Sequence, residues 1–494
     1  MNSEIARTIS PRQLKSILAF YRDDNVRQRI FEFCGGDRLT ADYLVGFGEQ
    51  LVREGYRRPL LLVTDKAGMV GLMEQGLDLF RSVRDRKSTI AVWDVEYFNL
   101  DTWLGLYRDQ EEYFELMEPS YLAIEELFSH YAIAHINDST SSGYHFVSRI
   151  PFSHPVHRRL ERIGHLEPEL TDKYALRSAS DRKRVRATPR RAALGYSGIG
   201  RLHEYLSHRV ILQTRGLSPI PVTISDTAIH RRQRGREGMS MDITQYADPL
   251  YMRDIRTTFS THQKHKVYIG RVGLALARRM PVYATLPRQD LGYRELFHLR
   301  RNLNEAAKYA GQCCGLIPAA AEGWGRLISD YRRSSLFSFH REFDSVPHHP
   351  RRLWKSTYLA LDLSRLPPCV AHPIRNANWS LLSPTNLQNI CRVLLAEGWL
   401  PSHIGGLLRA HYEEDLNWDT DWQKYDASCR ANFWARIYCG MLHTGADDLS
   451  TFSCAAHQQR GFCPCHWCGF RLEDYRDRLE ARGGPSELNP GGGW

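Results

Sequence analysis

No apolar run in the sequence approaches the roughly 18 residues that a membrane-spanning helix requires, so no membrane span is expected. The first residues do not combine a charged start, an apolar stretch and a small-residue cleavage site, the pattern of a secretory leader. The expected location is the cytoplasm, in association with the nucleoid if the source is prokaryotic. There is no internal repeat, which argues against a solenoid or propeller. Charge is not gathered into one tail, and disorder is expected only locally. Cysteine is sparse over most of the chain: Cys34, Cys313 and Cys314 precede Pro368, and eight of the eleven cysteines follow it. Because cytosolic thiols stay reduced, these eleven read as buried small hydrophobes or metal ligands rather than disulfides.

What is present is a folded protein's composition, with 42% hydrophobic and 11% aromatic residues in 494. Single cores seldom grow past about 250 to 300 residues, so a large and a smaller domain are expected. The net charge of +10 favours a polyanionic partner, since basic side chains facing phosphates release counterions. The basic residues concentrate at 182–186, at Arg190 and Arg191, and at 230–236, runs that also fit solvated loops.

Periodicity predicts helices through the first 56 residues, with Leu14, Ile17, Leu18 and Tyr21 at helical spacing and a stop at Gly35-Gly36. Leu60–Val63 and Ile90–Trp93 read as buried strands of one sheet, 101–133 as helical, and Gly143–Ile150 as a strand. The stretch 151–238 reads as a basic, irregular insert with a strand near 220–224. A strand-to-helix unit is expected over 240–260, then mixed helical sequence to 345. Prolines at 347, 350, 367 and 368 mark 346–366 as a linker. A compact cysteine-rich unit follows over 367–480, and 481–494 reads as a disordered tail.

Three short segments carry the candidate chemistry. In Val92-Trp93-Asp94-Val95-Glu96-Tyr97, strand alternation puts Asp94 and Glu96 on one face and Trp93 and Val95 on the other. Paired carboxylates suit hard divalent ions, and two such ions about 3.5 to 4 Å apart can clamp a phosphoryl transfer. The bland reading is surface alternation. In Ser141-Ser142-Gly143-Tyr144-His145, a glycine allows close approach of a phosphate and the histidine can donate to it. In the segment from Asp242 to Lys264, Asp248-Pro249 reads as the start of a short helix on which Arg253 and Arg256 share a face. Ser260, His262 and Lys264 then alternate along an extended strand, three potential phosphate donors on one side.

In this order the segments resemble the archaeo-eukaryotic primase superfamily, most closely the primase small subunit across Arg256, Ser260, His262 and Lys264. The resemblance implies an α+β catalytic domain over 1–345 with a mixed, RRM-like sheet and flanking helices. It implies that Asp94, Glu96 and Asp242 bind Mg²⁺ or Mn²⁺, with Asp248 the alternative third carboxylate. It also implies that Ser142, His145, Arg253, Arg256, Ser260, His262 and Lys264 bind the incoming nucleotide. No cysteine lies between His145 and Asp242, so the structural zinc site common in such subunits is missing.

In the cysteine-rich end, Cys454, Cys463, Cys465 and Cys468, with His457 or His466, read on their own as a zinc site, although four thiolates equally suit an iron–sulfur cluster. Cys369 after two prolines, an amphipathic helix bearing Leu387, Ile390, Leu394 and Leu395 and closed by Gly398, and then the later cysteines resemble the C-terminal domain of the primase large subunit. That resemblance implies a mainly helical domain with a 4Fe-4S cluster on Cys369, Cys454, Cys463 and Cys468, Cys465 being the substitute for the last. Cys34, Cys313, Cys314, Cys391, Cys429 and Cys439 read as core residues.

The expectation is a DNA-templated nucleotidyltransferase that makes primers from NTPs or dNTPs on single-stranded DNA, with a replicative helicase as a further partner. Two alternatives stay open: a primer-extending repair or mobile-element polymerase, and a non-catalytic, zinc-containing nucleic-acid-binding protein.

Overall fold

The computed structural model describes residues 7–53, 60–99, 101–102, 104–167, 170, 188–224, 237–249, 253–377, 381–414, 426–459, 461–465 and 467–481. The architecture is α+β. The basic runs at 182–186 and 230–236, His466 and the glycine-rich end from 482 lie outside the described residues.

The central sheet has the order β12-β5-β6-β4-β8-β7, formed by Leu286–Pro287 (β12), Ile136–Ser139 (β5), Gly143–Pro151 (β6), Ser88–Asn99 (β4), Glu237–Asp242 (β8) and Val222–Thr223 (β7). Its neighbours are antiparallel except β7 and β8. Strict alternation along β4 divides the sheet's two faces. Trp93, Val95 and Tyr97 turn into the core, while Asp94 and Glu96 turn to the other side, partly exposed. The core face is covered by the helices Gln110–His130 and Arg190–Thr214, with Trp93 against Phe128 and stacked on His203 at 5.4 Å.

A second sheet, β2-β1-β3-β9, contains Leu60–Val63 (β2), Leu44–Phe47 (β1), Asp78–Ser82 (β3) and Asp254–Arg256 (β9). A two-stranded ribbon joins Thr261–His262 (β10) to Tyr283–Ala284 (β11). Leu60–Val63 and Ile90–Trp93 are therefore strands of different sheets. The helical reading of the first 56 residues holds for Pro11–Arg22 and Asp24–Phe33 but fails at β1, whose four residues are all buried and pair on both sides.

Within 151–238 the described residues are not irregular. They include the helices Pro155–Ile163 and Arg190–Thr214, the second buried along most of its length. Glycines let the two helices approach closely: a Cβ on Gly198 would meet the Leu160 carbonyl oxygen at 2.5 Å. Such packing overrides the low helix propensity of glycine and serine.

The expected linker is also packed. It forms the 3₁₀ segments Arg351–Ser356, Tyr358–Ala360 and Leu363–Arg365, with Trp354 and Tyr358 buried. Beyond it, the helices Pro368–Arg375, Pro384–Ala396, Pro401–Tyr412 and Ala427–Thr444 share one continuous hydrophobic core with the sheets. Of the cysteines read as core, Cys34, Cys313, Cys391, Cys429 and Cys439 are buried, whereas Cys314 is exposed. No helix among the described residues is long and apolar enough to cross a membrane.

Candidate active site and cysteine cluster

Register across the central sheet builds the acidic half of the site. Asp94 on β4 lies directly opposite His145 on β6 and Asp242 on β8, and His145 in turn lies opposite Asp138 on β5. Directly opposed residues project to the same face, so four titratable side chains form one row across four strands. Glu96 stands two residues along β4 from Asp94. The Asp94 charge, then burial, then Asp242 push the Glu96 carboxyl up to about 8, although the Ser142 hydroxyl donates to it at 3.1 Å. His145 Nε2 is 3.3 Å from Asp94 Oδ1. Burial would lower the pKa of His145, but Asp94, Asp138 and Glu96 together raise it.

The turn after β8 holds Asp242 in place. Its Oδ1 accepts from the Thr244 amide at 2.8 Å and hydroxyl at 2.5 Å. Gln245 and Tyr246 both donate to the Val92 carbonyl, where β8 has left β4. Asp242, rather than Asp248, is thus the third carboxylate brought to the pair. Gly143 departs from the expected role. A Cβ there would collide with the Val95 carbonyl oxygen, so the missing side chain serves the approach of β6 to the strand carrying Glu96.

A cleft of about 490 Å³ separates Asp94 and Glu96 from a facing wall of Arg256, Lys264 and the two histidines His262 and His265, with Tyr107 also lining it. Arg256 is not on a helix. It sits on β9, pairs with the fully buried Asp78 at 3.0 Å, donates to the Thr261 carbonyl at 2.6 Å and lies 4.4 Å from the centre of the Phe80 ring. Asp78 also accepts from the Gln263 amide and the Thr261 hydroxyl, which fixes the β10 turn. The expected alternating strand from Ser260 to Lys264 is shortened to Thr261–His262, and Lys264 opens the helix Lys264–Gly270.

Three of the expected site residues, Asp242, Ser260 and Arg253, do not line the cleft. The Ser260 hydroxyl accepts from the Leu79 amide at 2.7 Å and donates to the Thr261 carbonyl at 2.9 Å, so it braces the backbone. Arg253 reaches Thr244 at 3.5 Å, beside Asp242. The helix expected to start at Asp248-Pro249 does not carry Arg253 and Arg256: residues 250–252 lie outside the described residues, and 254–256 are strand. Sequence reasoning missed Asp78, His265 and Asp138. The signal for Asp78 was an aspartate set between Leu77 and Leu79 in an apolar strand. That for His265 was its place three residues after His262.

At the other end of the chain, Cys369 is buried on the helix Pro368–Arg375, Cys454 begins the helix Cys454–Gln459, and Cys463 and Cys468 follow in the loop. Burial, then the charges of Cys463, Cys454 and Cys468, push the Cys369 thiol up to about 12, so these four sulfurs are electrostatic neighbours. The thiols that act on Cys465 are Cys468 and Cys463. His457 does not face the thiols as a zinc ligand would. One ring nitrogen meets Asn389 at 2.5 Å and the other the Ser453 carbonyl at 3.1 Å. Among the described residues, neither the carboxylates nor the thiols already converge in a group of three on a single ion position. A multinuclear cluster does not require such convergence, because each thiolate binds a different iron.

Compared with protein-family models, with curated proteins and with solved structures, the chain finds no match.

Proposed function

We propose that the protein is a template-directed nucleotidyltransferase, a primase-polymerase that acts on single-stranded DNA with NTPs or dNTPs. The observation that carries this reading is one cleft with Asp94 and Glu96 on one wall, Asp242 opposite Asp94 on the neighbouring strand, and Arg256, His262 and Lys264 on the other wall. Buried like charges that push Glu96 up to about 8 are what a divalent cation relieves. Arg256 and Lys264 as cations, with His262 as a hydrogen-bond donor, suit a triphosphate.

In this reading Asp94, Glu96 and Asp242 hold Mg²⁺ or Mn²⁺. When bound, the ions lower the pKa of the attacking hydroxyl and stabilise the charge of the departing pyrophosphate. The chain's own residues position the substrate. His262, Lys264 and Arg256 receive the triphosphate, with Arg256 kept rigid by Asp78 and the Phe80 ring. Ser142 orients Glu96, and His145 sits against Asp94. The net charge of +10 favours a nucleic-acid template.

We assign Cys369, Cys454, Cys463 and Cys468 as ligands of a 4Fe-4S cluster, supported by the effect of the other three thiols on the buried Cys369. In this reading the cluster-bearing domain helps hold the template and the first nucleotide. Protein purified anaerobically should be brown, with about four irons per chain. Cys369→Ser should lose colour and iron. A colourless wild-type protein holding zinc would reject the assignment.

The test of the activity is synthesis on single-stranded DNA without a primer. Short products from the wild type, abolished in Asp94→Ala/Glu96→Ala, support the reading. Products only when a primer is supplied would restrict the enzyme to extension.

A further inference from the structure

His262 does not stand alone on the cationic wall. Its Nδ1 lies 2.6 Å from Nδ1 of His265, with both rings buried. That bond holds one proton between the two nitrogens, so the rings cannot both turn a bare or both a protonated Nδ1 toward each other. With Nδ1 engaged, Nε2 is the nitrogen that His262 has left to offer the cleft.

His265 is itself held on both sides. It stacks on Tyr107 at 6.0 Å with the planes 8° apart, and its centre is 5.1 Å from that of Tyr283. The charged groups acting on the pair are all cations: Arg256, Arg300 and Lys264 on His262, and Lys266, Arg256 and Arg300 on His265. Burial first, and then these charges, hold both imidazoles well below their ordinary pKa. Arg300 is fully buried, and neither of its terminal nitrogens has a partner among the described residues. Asp78 balances Arg256 at 3.0 Å, and Lys264 is the further cation that lines the cleft.

We propose that His265 is a positioning residue for phosphate recognition: through the Nδ1–Nδ1 bond it locks the ring of His262 so that Nε2 faces the triphosphate of the nucleotide. This rests on the reading of His262 as a phosphate ligand. Partner groups that orient a metal-ligating imidazole commonly change affinity by about 10- to 100-fold when removed, and the same orienting role is proposed here toward phosphate.

The test is binding of inorganic tripolyphosphate with Mg²⁺ to the full-length protein by calorimetry, with thermal melting to verify folding. His265→Phe should weaken binding on the order of tenfold. His265→Asn, whose amide can take the place of Nδ1, should restore binding, whereas His265→Gln, whose amide reaches toward the Nε2 position, should not. The double variant His262→Phe/His265→Phe should bind no more weakly than His262→Phe alone. In turnover assays the loss should fall on KM for the nucleotide rather than on kcat.

If His262→Phe weakens binding but His265→Phe does not, the inference falls and the reading of the site stands. Equal binding by the Asn and Gln variants also overturns it, a comparison that remains available if the Phe variant fails to fold. If His262→Phe binds as the wild type does, the phosphate role of His262 and the inference fall together.

Discussion

Glu96 shows how a single residue can report the purpose of its surroundings. The Asp94 charge, burial and Asp242 push its carboxyl up to about 8, so at neutral pH it keeps its proton while no cation is present. A divalent ion binds the carboxylate form, so binding must expel that proton. Affinity for Mn²⁺ should rise as pH climbs toward about 8 and level off above it. Calorimetry in two buffers of different ionisation enthalpy should show a proton released per binding event at neutral pH. Binding that is independent of pH and of buffer would remove Glu96 from the metal site. The acid pair could be read from alternation in β4, because alternation is a local property. Asp78 and Asp138 could not, because what matters about them is their neighbours. Asp78 acts through Arg256, 178 positions away, and Asp138 through the strand pairing that puts it opposite His145.

At the scale of elements, β4 and β6 were legible as strands, β8 and β10 only in outline, and β9 not at all. β4 and β6 have clear patterns, whereas β8, β9 and β10 are short and take their meaning from pairing. The helix Arg190–Thr214 read as loop because Gly195, Ser197, Gly198 and Gly200 interrupt any amphipathic stripe. Those small residues instead permit contact on several sides, as where a Cβ on Gly195 would come within 2.6 Å of Thr89 Oγ1. Gly143 is the comparable position at the site. Gly143→Ala should force β6 away from β4, at a cost of about 1–3 kcal/mol in unfolding free energy. Because Gly143 lies directly opposite Glu96 on β4 and β6 also carries His145, metal affinity should fall further than that loss of stability explains. Metal titration beside urea denaturation checks this, and unchanged metal binding in a destabilised variant would separate the strand contact from the site.

For the whole molecule, the expected division into a catalytic domain, a linker and a cysteine-rich domain meets a continuous core. Proline clustering suggested a break, but Trp354 and Tyr358 are buried within the supposed linker. A buried polar network ties the two regions. Glu204 on the helix Arg190–Thr214 meets His340 at 3.0 Å and Arg436 at 3.0 Å, and Thr444 meets His208 at 2.9 Å. Burial would raise the pKa of Glu204, but His340 and Arg436 hold it well below the ordinary carboxylate value. Arg436→Ala strands that charge and should cost about 3–5 kcal/mol. Unfolding of the cleft and of the cysteine region should coincide in one thermal transition, and two well-separated transitions would show the halves to be independent.

The central claim is that one cleft joins a metal-binding acid cluster to a phosphate-binding wall for templated synthesis. The most direct measurement is the yield of short products on single-stranded DNA without a primer, in Mg²⁺ or Mn²⁺, for the wild type and for Asp94→Ala/Glu96→Ala. Products from the wild type and none from the variant are predicted. Full synthesis by the variant, or no synthesis by the wild type with or without a primer, would contradict the account.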